Sequence, residues 1–396
     1  MSFYPRLRDT RNDDEPLQRC IETVVNQLET ATTPNKPGML LGKIQSGKTR
    51  AFLGIIARSF DKGFDVTIVL TKGTKTLAKQ TVKRIGRDFK DFIENDEMIL
   101  FDIMSAPEPL TRSELKRKII IVAKKQAQNL TRIQEFFDKK YPELKNRRVL
   151  LVDDEADMAS VRFAKVKGTK KIEQGTIATQ MDQLRQSIKE ISFLQVTATP
   201  YALYLQPEDY EDSSASSEIY FPKRPAFTEL LPIHDAYIGG EDYFGGHGPD
   251  NPRSYLYIEV PTKEQDALRS NDGRVIRDDR IWTSENINAL RLSLMTFILA
   301  VSIRRWQQKE LEQQPLKYAM IIHNDTQRAA HKWQWETVNK LKIAFEDAAK
   351  VKGAQLKKLF EEAYQDLKRS IEANGDQIPT SKEAYNTVLE RLMTER

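Results

Sequence analysis

The sequence predicts an α/β fold in which helices cover both faces of a parallel sheet. Three observations predict it. Short β-branched and aliphatic runs recur at residues 65–70 (DVTIVL), 98–103 (MILFDI), 118–123 (KIIIVA), 147–153 (RRVLLVD) and 191–197 (ISFLQVT). Stretches of helical periodicity such as TKTLAKQTVKRIGRDFKDFI separate them, and strands that are apolar on both faces belong in a sheet buried on both sides. A glycine-spaced turn, GKIQSGKT, follows the apolar residues at 39–41 and precedes an amphipathic run, AFLGIIARSF, which reads as strand, tight turn and helix.

Taken in chain order, PLQRCIETVVNQLETA places Leu17, Ile21, Val24, Val25 and Leu28 at helical spacing with Pro16 near the first turn, so a leading helix is expected within residues 1–37. The alternating pattern then fills residues 38–206. PEDYEDSSASSE at 207–218 is acidic and aperiodic, and 219–283 is rich in Pro, Gly and Tyr; together they are expected to form a linker or irregular insertion. Helical patterns resume over 284–396, with one short strand candidate, KYAMIIH, at 317–323. The longest apolar run, LSLMTFILAVSI at 292–303, is shorter than the roughly 20 residues that span a bilayer and is expected to be a buried helix, with no membrane partner.

Among 396 residues the net charge is +5, which permits an anionic partner without demonstrating one. Cys20 is the sole cysteine, so an intrachain disulfide and a cysteine-based zinc site are excluded and a cytoplasmic location is expected. The residues of MSFYPRLRDTRNDDE at the start contain no apolar stretch of the secretory kind.

The turn carries the first chemistry. Residues 42–49 match G-x-x-x-x-G-K-[ST] in full. Gly42, Gln45, Ser46 and Gly47 form the loop whose backbone N–H groups can face phosphates, Lys48 can reach the β- and γ-phosphates, and the Thr49 hydroxyl can ligate Mg²⁺. About a hundred residues on, RRVLLVDDEADMAS ends a strand in Asp153, Asp154, Glu155 and Asp157. Strand C-termini in such sheets line the ligand crevice, so Asp154 is expected to hold Mg²⁺ and Glu155 to polarise the attacking water. A third strand end, FLQVTATPYA, presents Thr197 and Thr199, expected to couple the nucleotide to a partner. ATP and Mg²⁺ are the expected cofactors. NKPG at 35–38 lacks an aspartate and precedes the loop, so no guanine-reading element is seen.

GKIQSGKT, VDDEADMAS and TATPYA resemble motifs I, II and III of superfamily-two helicase-like ATPases, and more narrowly the Z-one domain family found beside bacterial helicase and endonuclease modules. The run 77–80, ending in Gln80, is similar to motif Ia, which in that superfamily touches the nucleic-acid backbone. The resemblance implies a RecA-like ATP-binding lobe acting on nucleic acid, with DNA expected, in a restriction or phage-defence setting. It also implies a second RecA-like lobe whose arginines complete the site. Only 317–323 is a candidate for its first strand, so a partner protein supplying a second lobe or a nuclease is expected. The competing expectation is a nucleotide-gated protein-binding scaffold without translocation. VRFAKVKGTKK at 161–171 carries Lys165, Lys167, Lys170 and Lys171 with no acid, a candidate phosphate-contacting loop. No nuclease constellation is seen: Asp250 and Glu259 come nearest, but Pro261 stands where a lysine would be needed.

Overall fold

A computed structural model describes residues 2–72, 75–107, 109–157, 163–165, 172–174, 176–204, 224–246, 250–269, 276–325 and 327–394. The chain divides into two compact units, Met1–Tyr237 and Ile238–Arg396.

In the first unit two helices, α1 (Phe3–Arg11) and α2 (Glu15–Thr30), precede the sheet. The Asp14 side chain caps α2 by accepting from the Leu17 N–H at 3.0 Å, and Pro16 sits in the first turn, where its missing N–H costs nothing. The leading helix buries Leu17, Ile21, Val24, Val25 and Leu28, the face its spacing predicts. Then come β1 (Gly38–Leu41), α3 (Lys48–Asp61), β2 (Val66–Thr71), α4 (Lys75–Asp88), α5 (Lys90–Glu94), β3 (Met98–Asp102), β4 (Lys118–Lys124), α6 (Ala127–Glu135) and β5 (Arg148–Asp154). A short antiparallel pair, β6 (Phe163–Lys165) and β7 (Ile172–Gln174), precedes α7 (Thr176–Ser187), β8 (Glu190–Thr197), α8 (Tyr201–Tyr204) and β9 (Phe227–Leu230).

Seven strands form one parallel sheet in the order β3-β4-β2-β5-β8-β1-β9. One face packs on α1 to α5 through residues such as Leu7, Ile21, Phe52, Ile56 and Phe89. The other packs on α6 and α7 through Leu130, Ile133, Met181 and Leu184. Both faces are covered, so β2, β4 and β5 read as unbroken apolar runs rather than alternating ones. This is a RecA-like α/β core.

The segment read as an irregular insertion contributes β9 to this sheet, paired in parallel with β1. A Cβ on Gly38 would lie 2.3 Å from the Phe227 ring, so β1 must start with glycine for β9 to dock. Four residues of mixed polarity at a sheet edge carry too little periodicity to be read from sequence.

The second unit is helical: α9 (Gly240–Phe244), α10 (Thr262–Arg269), α11 (Asn288–Glu310), α12 (Arg328–Lys350), α13 (Ala354–Ala373) and α14 (Ser381–Thr394). Its core gathers Met295, Leu299, Leu341, Phe345, Phe360 and Val388, so the apolar run at 292–303 forms part of a packed helix. One helix, residues 285–310, is long and apolar enough to cross a membrane by length and composition. The strand expected at 317–323 does not form, and among the described residues this unit contains no strand. Ile321 is 88% exposed. A lone apolar run with no neighbouring run to ladder against cannot bury its backbone groups.

Candidate nucleotide site

In the sheet β5, β8 and β1 are neighbours, so the three sequence motifs, each at a strand's C-terminal end, come together. The Gly42 N–H donates to the Thr197 carbonyl at 3.1 Å, and the Ala156 N–H to the Val196 carbonyl at 3.1 Å. These bonds extend the ladders past the strand ends and set the phosphate loop beside the carboxylates.

The loop backbone leaves the ordinary regions twice, at Gln45 (φ 59°) and Gly47 (φ 92°). Gln45 holds its left-handed geometry without glycine's freedom, at a cost of order 1–2 kcal/mol. A Cβ on Gly42 would meet Ser46 Oγ at 2.8 Å, Lys48 Cγ at 3.0 Å and Leu231 Cδ2 at 3.1 Å, so the turn closes only around glycine. Lys48 Nζ donates to the carbonyls of Lys43 (2.8 Å) and Gly42 (3.3 Å). Burial lowers the Lys48 pKa, and Asp154, Glu155 and Asp157 oppose that shift. The Ser46 hydroxyl is buried without a protein partner. A glycine-tight loop at a helix N-terminus, an ammonium and an orphaned donor fit a polyphosphate.

Neighbouring elements brace the loop. The Tyr237 hydroxyl donates to the Ile44 carbonyl at 2.7 Å. Arg50 Nε donates to Asp13 Oδ1 at 2.7 Å while Arg11 holds the other oxygen of that buried carboxylate, which ties α3 to the α1–α2 turn. Arg84 on α4 donates to Thr49 Oγ1 at 3.0 Å, so a cation already sits at the hydroxyl expected to ligate Mg²⁺. None of Tyr237, Asp13 and Arg84 was legible in the sequence, because each meets the loop from a distant element.

The pleat of β5 separates its two aspartates. Asp153 is fully buried in an ion pair with Lys125 at 2.9 Å, whereas Asp154 lies toward the phosphate loop. Burial and then repulsion from Glu155 push the Asp154 carboxyl up to about 6, against the pull of Lys125 and Lys48. Glu155 takes a left-handed conformation (φ 53°), and its exposed carboxylate pairs with Lys72 at 3.4 Å. Asp157 accepts from Thr197 Oγ1 at 2.7 Å and Thr199 Oγ1 at 2.8 Å, while the Thr199 N–H donates to Thr197 Oγ1 at 3.0 Å. The acidic motif and the hydroxyl motif are thereby one hydrogen-bonded unit. The sequence offered Asp157 only as one carboxylate of four.

Gln80 lies exposed on α4. Lys165 ends β6, its side chain undescribed, and Lys167, Lys170 and Lys171 lie outside the described residues. Among the described residues no three His, Cys, Asp or Glu side chains cluster to hold a metal, so a cation here would depend on Asp154, Thr49 and phosphate oxygens together.

The raised Asp154 pKa gives a stability prediction for the metal-free protein. Its folded-state value lies above the ordinary 3.8, so the charged form is penalised at pH 7 and the penalty disappears as pH falls below about 4. Asp154→Asn is expected to stabilise the chain by about 3 kcal/mol at pH 7 and by only about 0.5 kcal/mol near pH 4. Denaturant melts in a chelating buffer at both pH values check this, and an equal effect at both would dispose of the buried-charge account.

Residues 15–202 match the family described as type III restriction enzyme, res subunit. The matched segment runs from α2 through the phosphate loop, the carboxylates and the Thr197–Thr199 turn. No curated protein matches the chain. Similar solved structures include the DUF1998 helicase MrfA bound to DNA, at 11% identity and TM-score 0.35 over 65% of this chain and 35% of that one. The Pyrococcus furiosus Hef helicase domain is similar at 13% identity and TM-score 0.32, over 97% and 70%. A nuclease-deletion mutant of the Type ISP restriction-modification enzyme LlaGI, in complex with a DNA substrate mimic, is similar at 13% and 0.35, over 97% and 32%. The chain thus spans about a third of the length of MrfA and of LlaGI.

Proposed function

We propose that the first unit is an Mg²⁺-dependent ATP-hydrolysing core of the helicase-like kind that acts on nucleic acid, DNA foremost. The single observation that carries this reading is the convergence, at the C-terminal ends of neighbouring strands, of the 42–49 loop, Asp154 with Glu155, and the Asp157–Thr197–Thr199 unit. The match of residues 15–202 to the restriction res-subunit family supports it. A nuclease partner and a phage-defence setting extend the same reading, as do the narrower Z-one assignment and a cytoplasmic location.

Each residue has a task. Loop N–H groups and Lys48 bind the phosphates, and Asp154 and Thr49 would hold Mg²⁺, which when bound offsets charge on the phosphate oxygens. Glu155 orients the attacking water and Asp157 relays the state of the site to Thr197 and Thr199. Gln80 and the lysines at 165, 167, 170 and 171 are the proposed nucleic-acid contacts.

The test is Glu155→Gln, which keeps the shape but removes the charge and replaces one acceptor oxygen with a donor. Phosphate release is expected to fall about 10²- to 10⁴-fold with analogue binding nearly unchanged. Wild-type turnover in that variant would move the role to another carboxylate. A second reading, a nucleotide-gated scaffold that binds a partner protein without translocating, is favoured by one observation: the second unit is helical, with no sheet among its described residues.

A further inference from the structure

Lys125 is a buried lysine one residue beyond the end of β4, and no motif above includes it. Its N–H donates to the Thr71 carbonyl at 2.8 Å, which extends the β4–β2 ladder. Its side chain reaches residues at the end of β5, two strands away in the sheet order. There Nζ makes two contacts. It pairs with Asp153 Oδ1 at 2.9 Å, both side chains being almost wholly buried, and it donates to the Glu155 carbonyl at 2.7 Å. Glu155 is the residue at which β5 leaves its extended path, with φ 53°, a conformation that an ordinary side chain adopts only when its surroundings enforce it.

We propose that Lys125 is a positioning residue for hydrolysis: held in place by Asp153, it fixes the left-handed turn at Glu155 through that residue's carbonyl and so aims the Glu155 carboxylate. The inference rests on the catalytic reading of Glu155 given above. Neutralising Asp153 does not by itself account for Lys125. Arg185, also buried, already acts on the same carboxylate as a favourable charge, and an ion pair alone would leave the second contact, to the Glu155 carbonyl, without purpose. Lys72 reaches the Glu155 carboxylate itself, but at 42% exposure its pairing is loose. The buried contact is the one able to set backbone geometry.

Removing Lys125 alone would strand a buried carboxylate and risk unfolding, so the comparison is made where that carboxylate is already neutral. Asp153→Asn is compared with Asp153→Asn/Lys125→Met on the full chain. The readouts are single-turnover hydrolysis of radiolabelled Mg²⁺-ATP, affinity for a non-hydrolysable ATP analogue, and thermal melts to confirm folding. Adding Lys125→Met is expected to slow hydrolysis a further 10- to 100-fold, the scale of a misplaced catalytic group, with analogue affinity within about threefold. Equal hydrolysis rates in the single and double variants would overturn the proposal and leave Lys125 as a charge partner only. A parallel loss of affinity and rate would also overturn it, because a positioned water is not needed for binding. Glu155→Gln is run alongside: if it hydrolyses ATP like the wild type, the reading of Glu155 fails and this proposal with it. If it is slow while Lys125→Met is silent, only the Lys125 proposal fails.

Discussion

Turnover by this chain is expected to rise about 10³- to 10⁵-fold when a partner presents an arginine to the transferring phosphoryl group, the range that such residues supply in phosphoryl transfer. Within the first unit Arg50 holds buried Asp13, and Arg84 holds the Thr49 hydroxyl. The second unit shows helices and, among its described residues, no second sheet whose strand ends could offer one across a cleft. The 396-residue chain is therefore expected to bind ATP, hydrolyse it slowly and displace no strand, with nucleic acid alone giving weak stimulation. Steady-state phosphate release with and without duplex, beside a strand-displacement assay, decides the matter. Robust ATP-dependent displacement by the chain alone would mean that a complete motor is present and that the helical unit has been misread.

Lys48→Ala is expected to weaken binding of a non-hydrolysable ATP analogue roughly 100-fold, from the loss of charge-assisted hydrogen bonds worth about 1.5–3 kcal/mol each. The same ammonium bonds the Lys43 and Gly42 carbonyls, so its removal also loosens the loop, but those bonds lie at least partly in solvent and folding stability should change little. Calorimetry gives the affinity and a thermal melt gives the stability. Unchanged affinity would remove Lys48 from the phosphate site. A large fall in melting temperature without loss of affinity would make it a structural brace for the turn.

Much of the fold and part of the site were legible because the signals are local. Five apolar runs became β2, β3, β4, β5 and β8, since a strand buried on both faces has to be apolar throughout. The leading helix was readable from its 3.6-residue spacing, and the phosphate loop from its G-x-x-x-x-G-K-[ST] spacing. The strand expected at 317–323 failed for the converse reason: apolar composition is local, whereas a strand needs a neighbour. β9 was missed because its four residues are strand only through pairing with β1.

By itself, then, the sequence determined the parallel α/β class, the phosphate loop and the placing of carboxylates and hydroxyls at strand ends, because periodicity and steric demand act between residues close in the chain. Tertiary structure alone decided that Asp153 turns inward to Lys125 while Asp154 faces the loop, that Asp157 binds both threonines, and that Arg84 and Tyr237 meet the loop. Those contacts depend on strand order, β5 beside β8 beside β1, and on side chains reaching across it. The free energy of such pairs comes from burial and geometry between residues tens to nearly two hundred positions apart, a separation over which no local pattern in the chain carries a signal.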